Sequence, residues 1–214
     1  MLRISNCSVY GLVESVLASG YPFRKDLPCS ISDENDSHLI RAKKLGRATS
    51  GSGHDTFLKG IIVQFDLTYP LYIDKQLKRY HFIDTISSQS TMHCILEMDI
   101  EKQCNEYVFP ETILELNWYI NQYNHFKNNP ETFKKIFMDD DYNEWLYEQY
   151  MTIISNVPSG FELTARVTTN YLQLKTIYNQ RKNHKLKEDW GYFCNWILEL
   201  PMFEELCIKE EVEI

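Results

Sequence analysis

Apolar positions recur in two rhythms along the chain, mixed in the first part and helical after about residue 105. Residues 2–9 read as a short strand, and GLVESVLASG then sets Leu12, Val13, Val16 and Leu17 at helical spacing before Gly20, a C-cap. The Pro, Ser, Asp and Asn content of Tyr21 to Ser37 predicts a loop, with Asp36 or Ser37 capping a basic helix that runs to about Arg47. Gly51, Ser52 and Gly53 break that helix, and the β-branched and aromatic run Gly60 to Leu67 predicts a buried strand. Pro70 suits a helix's first turn, and Leu71, Ile73 and Leu77 then share one face of a helix reaching about His81. Ser87 to Thr91 are poor helix formers and predict a loop. Beyond Pro110 the pattern predicts helices over about Glu111 to Lys127, Glu131 to Ser155, Thr164 to Lys182 and Glu188 to Leu200. Pro130, the Pro158-Ser159-Gly160 turn and Pro201 punctuate them.

No Gly/Ser linker, internal repeat or low-complexity tract divides the chain, so its 214 residues, 43% of them hydrophobic, are expected to form one domain. The fold class expected is α+β: a central mixed or antiparallel sheet, flanking helices and a mainly helical C-terminal half. Composition narrows the function. With 22 Lys and Arg against 30 Asp and Glu, the formal charge of −8 argues against general affinity for duplex nucleic acid or anionic membranes. Basic residues still gather at Arg41, Lys43, Lys44, Arg47, at Lys75, Lys78, Arg79, and from Lys175 through Lys187, so a local pocket for an anion is compatible with an acidic whole. Acidic residues concentrate at Asp139 to Asp141 and from Glu204 to Glu213. Cys7, Cys29, Cys94, Cys104, Cys194 and Cys207 form no CxxC pair and no zinc-like spacing, as expected of reduced, buried thiols in a cytoplasmic protein without a metal. No signal segment or membrane-length apolar run is found. No phosphate-binding glycine loop, dinucleotide fingerprint, nucleophile elbow or HExxH motif occurs either.

Polar residues are densest between Gly53 and His93. His54, Asp55 and Thr56 stand on a turn before a strand, where they either close the turn or meet a ligand. Gln76 and Arg79, three apart on one predicted helix, can bring an amide and a guanidinium onto one ligand; the plain alternative is a solvated face. A guanidinium binds phosphate, or the imide edge of a pyrimidine or flavin, through two parallel hydrogen bonds. Ser87 to His93 supplies hydroxyls and amides that could wrap a phosphate, or simply a disordered loop. Asn170 and Arg181, eleven apart, fall on the same face of the predicted helix Thr164 to Lys182, and His184 stands near its end.

Gly53-His54-Asp55-Thr56, the strand Ile61 to Leu67, Pro70, Gln76 and then Arg79-Tyr80-His81 resemble, without a gap, the ordered motifs of the flavin-dependent thymidylate synthases, the ThyX family. Asn170 in ARVTTNYLQL and Arg181 in NQRKNH are similar to that family's later Asn and Arg. The resemblance covers roughly residues 35–95 and 155–195. Tyr80 and His81 replace the His and Arg of its Arg-His-Arg signature, Gln89 flanked by Ser88 and Ser90 falls where its Ser stands, and Leu172 stands where a second nucleotide-binding Arg is expected. The strings Ser90 to His93 and Arg181 to Leu186 also resemble a divergent group from phages and Firmicutes.

The resemblance implies a cytoplasmic homotetramer with FAD and dUMP sites at subunit junctions. NADPH and methylenetetrahydrofolate would be co-substrates in one-carbon transfer to a deoxypyrimidine monophosphate, with no Cys nucleophile on the protein. By that resemblance His54, Thr56, Arg79, His81 and Asn170 face the flavin, Gln76, Ser90 and Arg181 face the nucleotide, and Arg79 and Ser90 act in catalysis. Two further readings stand beside it. The altered signature could mark another substrate or product, such as hydroxymethylation, or a scaffold that binds a nucleotide without chemistry.

Overall fold

A computed structural model describes residues 2–27, 30–137 and 141–208. Cys29, Asp139, Asp140 and the end of the acidic tail lie outside the described residues. Strand β1 (Arg3–Tyr10) leads into α1 (Leu12–Ala18), and Asp36 caps α2 (Ser37–Gly46) by accepting the His38 N–H at 2.8 Å. The two backbone N–H groups of Ser32 and His38 that point at Asp36 hold its carboxyl far below the usual carboxylate range. A 3₁₀ turn, Thr56–Gly60, then enters β2 (Ile62–Pro70), which is followed directly by α3 (Leu71–Leu77). Next come β3 (Asp84–Ser88), α4 (Thr91–Cys94) and α5 (Ile100–Gln103). The helices α6 (Pro110–Asn128), α7 (Pro130–Phe137) and α8 (Tyr142–Ser155) precede β4 (Glu162–Asn170) and α9 (Tyr171–Arg181). A π-helical turn, Lys187–Gly191, leads to α10 (Tyr192–Leu198) and α11 (Phe203–Cys207).

The strands form one antiparallel four-stranded sheet in the order β1-β2-β4-β3. Alternation explains the two central strands. Val63, Phe65, Leu67 and Tyr69 of β2 are buried while Ile62, Gln64, Asp66 and Thr68 are half-buried, and Ala165, Val167 and Thr169 of β4 repeat the pattern. On the half-buried face Arg166 bridges Asp66 at 3.2 Å and the Asn6 carbonyl at 2.8 Å, tying β1, β2 and β4 together.

Four expectations about the elements need correction. The predicted helix Thr164 to Lys182 is a strand up to Asn170 and a helix only from Tyr171. Alternating β-branched residues along TARVTT pack better on a pleated sheet than on a helix. The helix expected to reach His81 stops at Leu77, and the expected loop at Ser87 begins inside an edge strand. The long helix expected over Glu131 to Ser155 is represented by two helices, Pro130–Phe137 and Tyr142–Ser155. The cysteines also vary: Cys194 and Cys207 are buried, Cys94 and Cys104 half-buried, and Cys7 exposed.

The chain forms two compact units. The first draws on Met1–Leu67, Gln76–Ser87 and Ala165–Ile214. Its core includes Phe65, Leu174, Ile177, Trp190, Phe193 and Phe203, and the Tyr171 hydroxyl donates to the Pro201 carbonyl at 2.6 Å. The second draws on Thr68–Lys75 and Ser88–Thr164 and buries Ile95, Ile100, Leu116, Ile120, Ile153 and Phe161. Beside that cluster, Phe126 meets Phe133 and Trp145 edge-on, with ring centroids 5.6 and 5.2 Å away. Among the described residues no helix is long and apolar enough to cross a membrane.

Candidate nucleotide-binding site

Arg181, at the end of α9, is the most elaborately held cation among the predicted site residues. Its Nε donates to the Tyr80 hydroxyl at 2.7 Å and its NH1 to the Gln76 amide oxygen at 3.1 Å. The same oxygen accepts the Trp190 indole N–H at 3.0 Å. The guanidinium carbon lies 4.4 Å from the Trp190 ring centroid and 5.6 Å from that of Tyr80, so two aromatic faces add cation–π attraction. These contacts leave Arg181 further N–H donors while limiting the rotamers it must give up on binding. Gln76 therefore positions Arg181 and Trp190 together.

A cleft of ≈ 250 Å³ opens beside this cluster, lined by Arg79, Tyr80, His81, Gln173, Thr176, Gln180 and Arg181. Two guanidiniums and an imidazole line it, and among the described residues no carboxylate does. Arg79 and His81 are exposed, and Arg79 has no hydrogen-bond or ion-pair partner among the described residues. The segment carrying them is pinned at both ends. Tyr80 N–H donates to the Leu77 carbonyl at 3.0 Å, while Phe82 donates to the Gln173 amide oxygen at 3.4 Å and accepts the Thr169 hydroxyl at 2.6 Å. Outside the cleft, His184 accepts the Leu186 N–H on Nδ1 at 3.2 Å. Desolvation, then the positive charges of Arg181 and Lys185, holds its pKa below the ordinary histidine value.

The predicted residues thus fall into separate places. Gln76, Arg79, His81 and Arg181 gather in the first unit, but Arg79 lies past the end of α3, so the pair Gln76 and Arg79 shares no helix face. Asn170 is the N-cap of α9, its side-chain oxygen accepting Gln173 N–H at 2.9 Å, and the face expected to join it to Arg181 does not exist. His54 is exposed, and the Thr56 hydroxyl closes its own turn on the Gly53 carbonyl at 2.7 Å; neither lines the cleft. Asp55 instead is buried and pairs with Lys175 at 2.7 Å. Ser90 belongs to the second unit and precedes α4. Gln89 beside it is occupied: its amide oxygen accepts Thr164 N–H at 2.9 Å and its own N–H meets the Thr164 carbonyl at 2.9 Å.

Gln173, Thr176, Gln180 and Trp190 were not singled out in the sequence. The first three recur at helical spacing on α9, a signal that becomes visible once the helix is started at Tyr171. Trp190 has no such local signal, because the π-helical turn that delivers it follows no simple period.

The sheet order and the helices around it define a ThyX-like α+β fold. The chain is similar to thymidylate synthase X (ThyX) from Helicobacter pylori, solved with FAD and dUMP, at 14% identity and a TM-score of 0.59 over 97% of this chain and 98% of that one. A second structure of the Helicobacter pylori flavin-dependent enzyme with the same two ligands gives 13% identity and a TM-score of 0.56, covering 97% of this chain and 99% of that one. No protein-family model matches the sequence, and no curated protein matches it.

Proposed function

We propose that this chain binds a deoxypyrimidine monophosphate, dUMP or a relative, and FAD, as a flavin-dependent thymidylate synthase-like enzyme. The observation that carries the reading is the cleft that gathers Arg79, His81 and the buttressed Arg181, on a fold shared with proteins solved with FAD and dUMP. Arg181 would take the nucleotide's anionic edge, held in place by Gln76 and Tyr80. Arg79, exposed and without a partner among the described residues, can polarise a uracil or flavin carbonyl by fixed positive charge. The donor set suits a flavin at this point, because a guanidinium and an imidazole can hydrogen-bond the carbonyl edge of its pyrimidine ring and stabilise the negative charge that ring carries when reduced. FAD, when bound, would supply hydride chemistry, with NADPH as reductant and methylenetetrahydrofolate as one-carbon donor. His54, Thr56 and Asn170 complete the proposed flavin set, and assembly as a homotetramer completes the reading.

One observation favours a second reading, nucleotide binding without chemistry. Tyr80 occupies the second signature position but is only 8% exposed and its hydroxyl accepts from Arg181, so this position orients a neighbouring cation and offers a ligand no charge of its own. Leu172 offers no charge where the resemblance expects one. Purified protein reconstituted with FAD is expected to keep a flavin absorbance spectrum and to oxidise NADPH in a dUMP-dependent manner. Colourless protein that still binds dUMP would establish the second reading; protein that binds neither ligand would sink both.

A further inference from the structure

Arg41 NH1 is buried without a hydrogen-bond partner among the described residues. Buried polar nitrogens are nearly always paired, so one that is not asks for an acceptor. The other such nitrogen, His38 Nε2, stands one turn earlier on the same face of α2. Neither residue lines the candidate cleft.

Arg41 reaches the end of α1, where Gly20 makes room for it. The backbone of Gly20 is ordinary, with φ −101°, so space and not conformation explains a glycine there. A Cβ on Gly20 would lie 2.3 Å from Arg41 NH1 and 3.5 Å from Arg24 Nε, so two half-buried guanidiniums converge on one point. The end of α1 offers them little. Ser19 N–H takes the Ser15 and Val16 carbonyls, Gly20 N–H takes that of Leu17 at 3.2 Å, and the Ser19 hydroxyl donates to the Val16 carbonyl at 2.7 Å. Neither guanidinium has a hydrogen-bond or ion-pair partner among the described residues. Like charges so placed repel, and an oxyanion that accepts from both relieves the repulsion while using their fork geometry.

From this convergence we infer that Arg24 and Arg41 form a second anion site, for a phosphate group. It does not depend on the flavin reading. The test is the melting temperature and calorimetric titration of the full chain with inorganic phosphate. The parent is Arg79→Gln, which weakens the candidate cleft, and Arg41→Gln or Gly20→Ala is added to it. Phosphate is expected to raise the melting temperature of R79Q. Adding R41Q should abolish that rise and weaken phosphate binding about tenfold or more. G20A keeps both charges and displaces only the flexible tip of Arg41, so it should weaken binding several-fold, which general attraction of anions to a basic surface would not. Ribose 5-phosphate that competes with phosphate in R79Q would assign a phosphate ester to the site; failure to compete would assign the free anion. No response of R79Q to phosphate, or a response unchanged by both R41Q and G20A, would overturn the inference. So would R41Q that melts far below R79Q in phosphate-free buffer, since Arg41 would then be a structural cation. Colourless, flavin-free protein would leave it standing.

Discussion

The Tyr80 hydroxyl accepts from Arg181 Nε at 2.7 Å while its ring packs edge-on to Trp190, with centroids 6.4 Å apart. A residue that departs from the ThyX signature therefore works by orienting a cation. Tyr80→Phe is expected to keep the ring packing and lose one hydrogen bond to a charged group, lowering stability by about 1 kcal/mol and weakening dUMP binding roughly fivefold. Thermal melts and dUMP titration check this; unchanged dUMP affinity in Y80F would exclude the orienting role. Gln76, Arg79 and Arg181 could be nominated from the sequence because their order resembles a known motif. What each one touches was not. Gln76 and Arg181 lie 105 positions apart, and no local pattern announces that an amide oxygen will be shared with Trp190, 114 positions away.

At the scale of elements, the boundary between β4 and α9 carries most of the error and most of the lesson. The chain passes from period two to period 3.6 at Asn170 without a Gly or Pro to mark the change. A single capping residue is the local sign. Asn170→Ala is expected to cost about 1 kcal/mol by removing the acceptor for Gln173 N–H, and Asn170→Asp to stay close to the parent because Asp caps equally well. Denaturant unfolding measures the stability part. Flavin retention lost in N170D, with stability kept, would show that the amide serves the cofactor as well as the helix. By contrast, the Asp36 cap and the starts of α6 and α7 at prolines were readable, since each depends on residues within one turn.

Across the first unit the buried pair Asp55 and Lys175, with side chains 3% and 4% exposed, joins segments 120 positions apart. The ammonium also takes the carbonyls at the end of α2 and in the turn after it, so one side chain fastens three segments together. Lys175→Met is expected to destabilise by about 3–5 kcal/mol, because it strands a buried carboxylate, and adding Asp55→Asn should recover part of that loss. Chemical denaturation of the two single variants and the double variant measures the coupling; strict additivity would refute it. Hydrophobic period, proline position and capping chemistry are local, so the sequence by itself determined an α+β chain, the starts of α6 and α7 and the order of its polar motif. Which stretch became a central strand, which acid was buried and which cations shared a cleft were decided only when distant segments packed. Desolvation then favoured a partner for the Asp55 carboxylate, the Lys175 ammonium and the Gln76 amide oxygen wherever the fold had brought one.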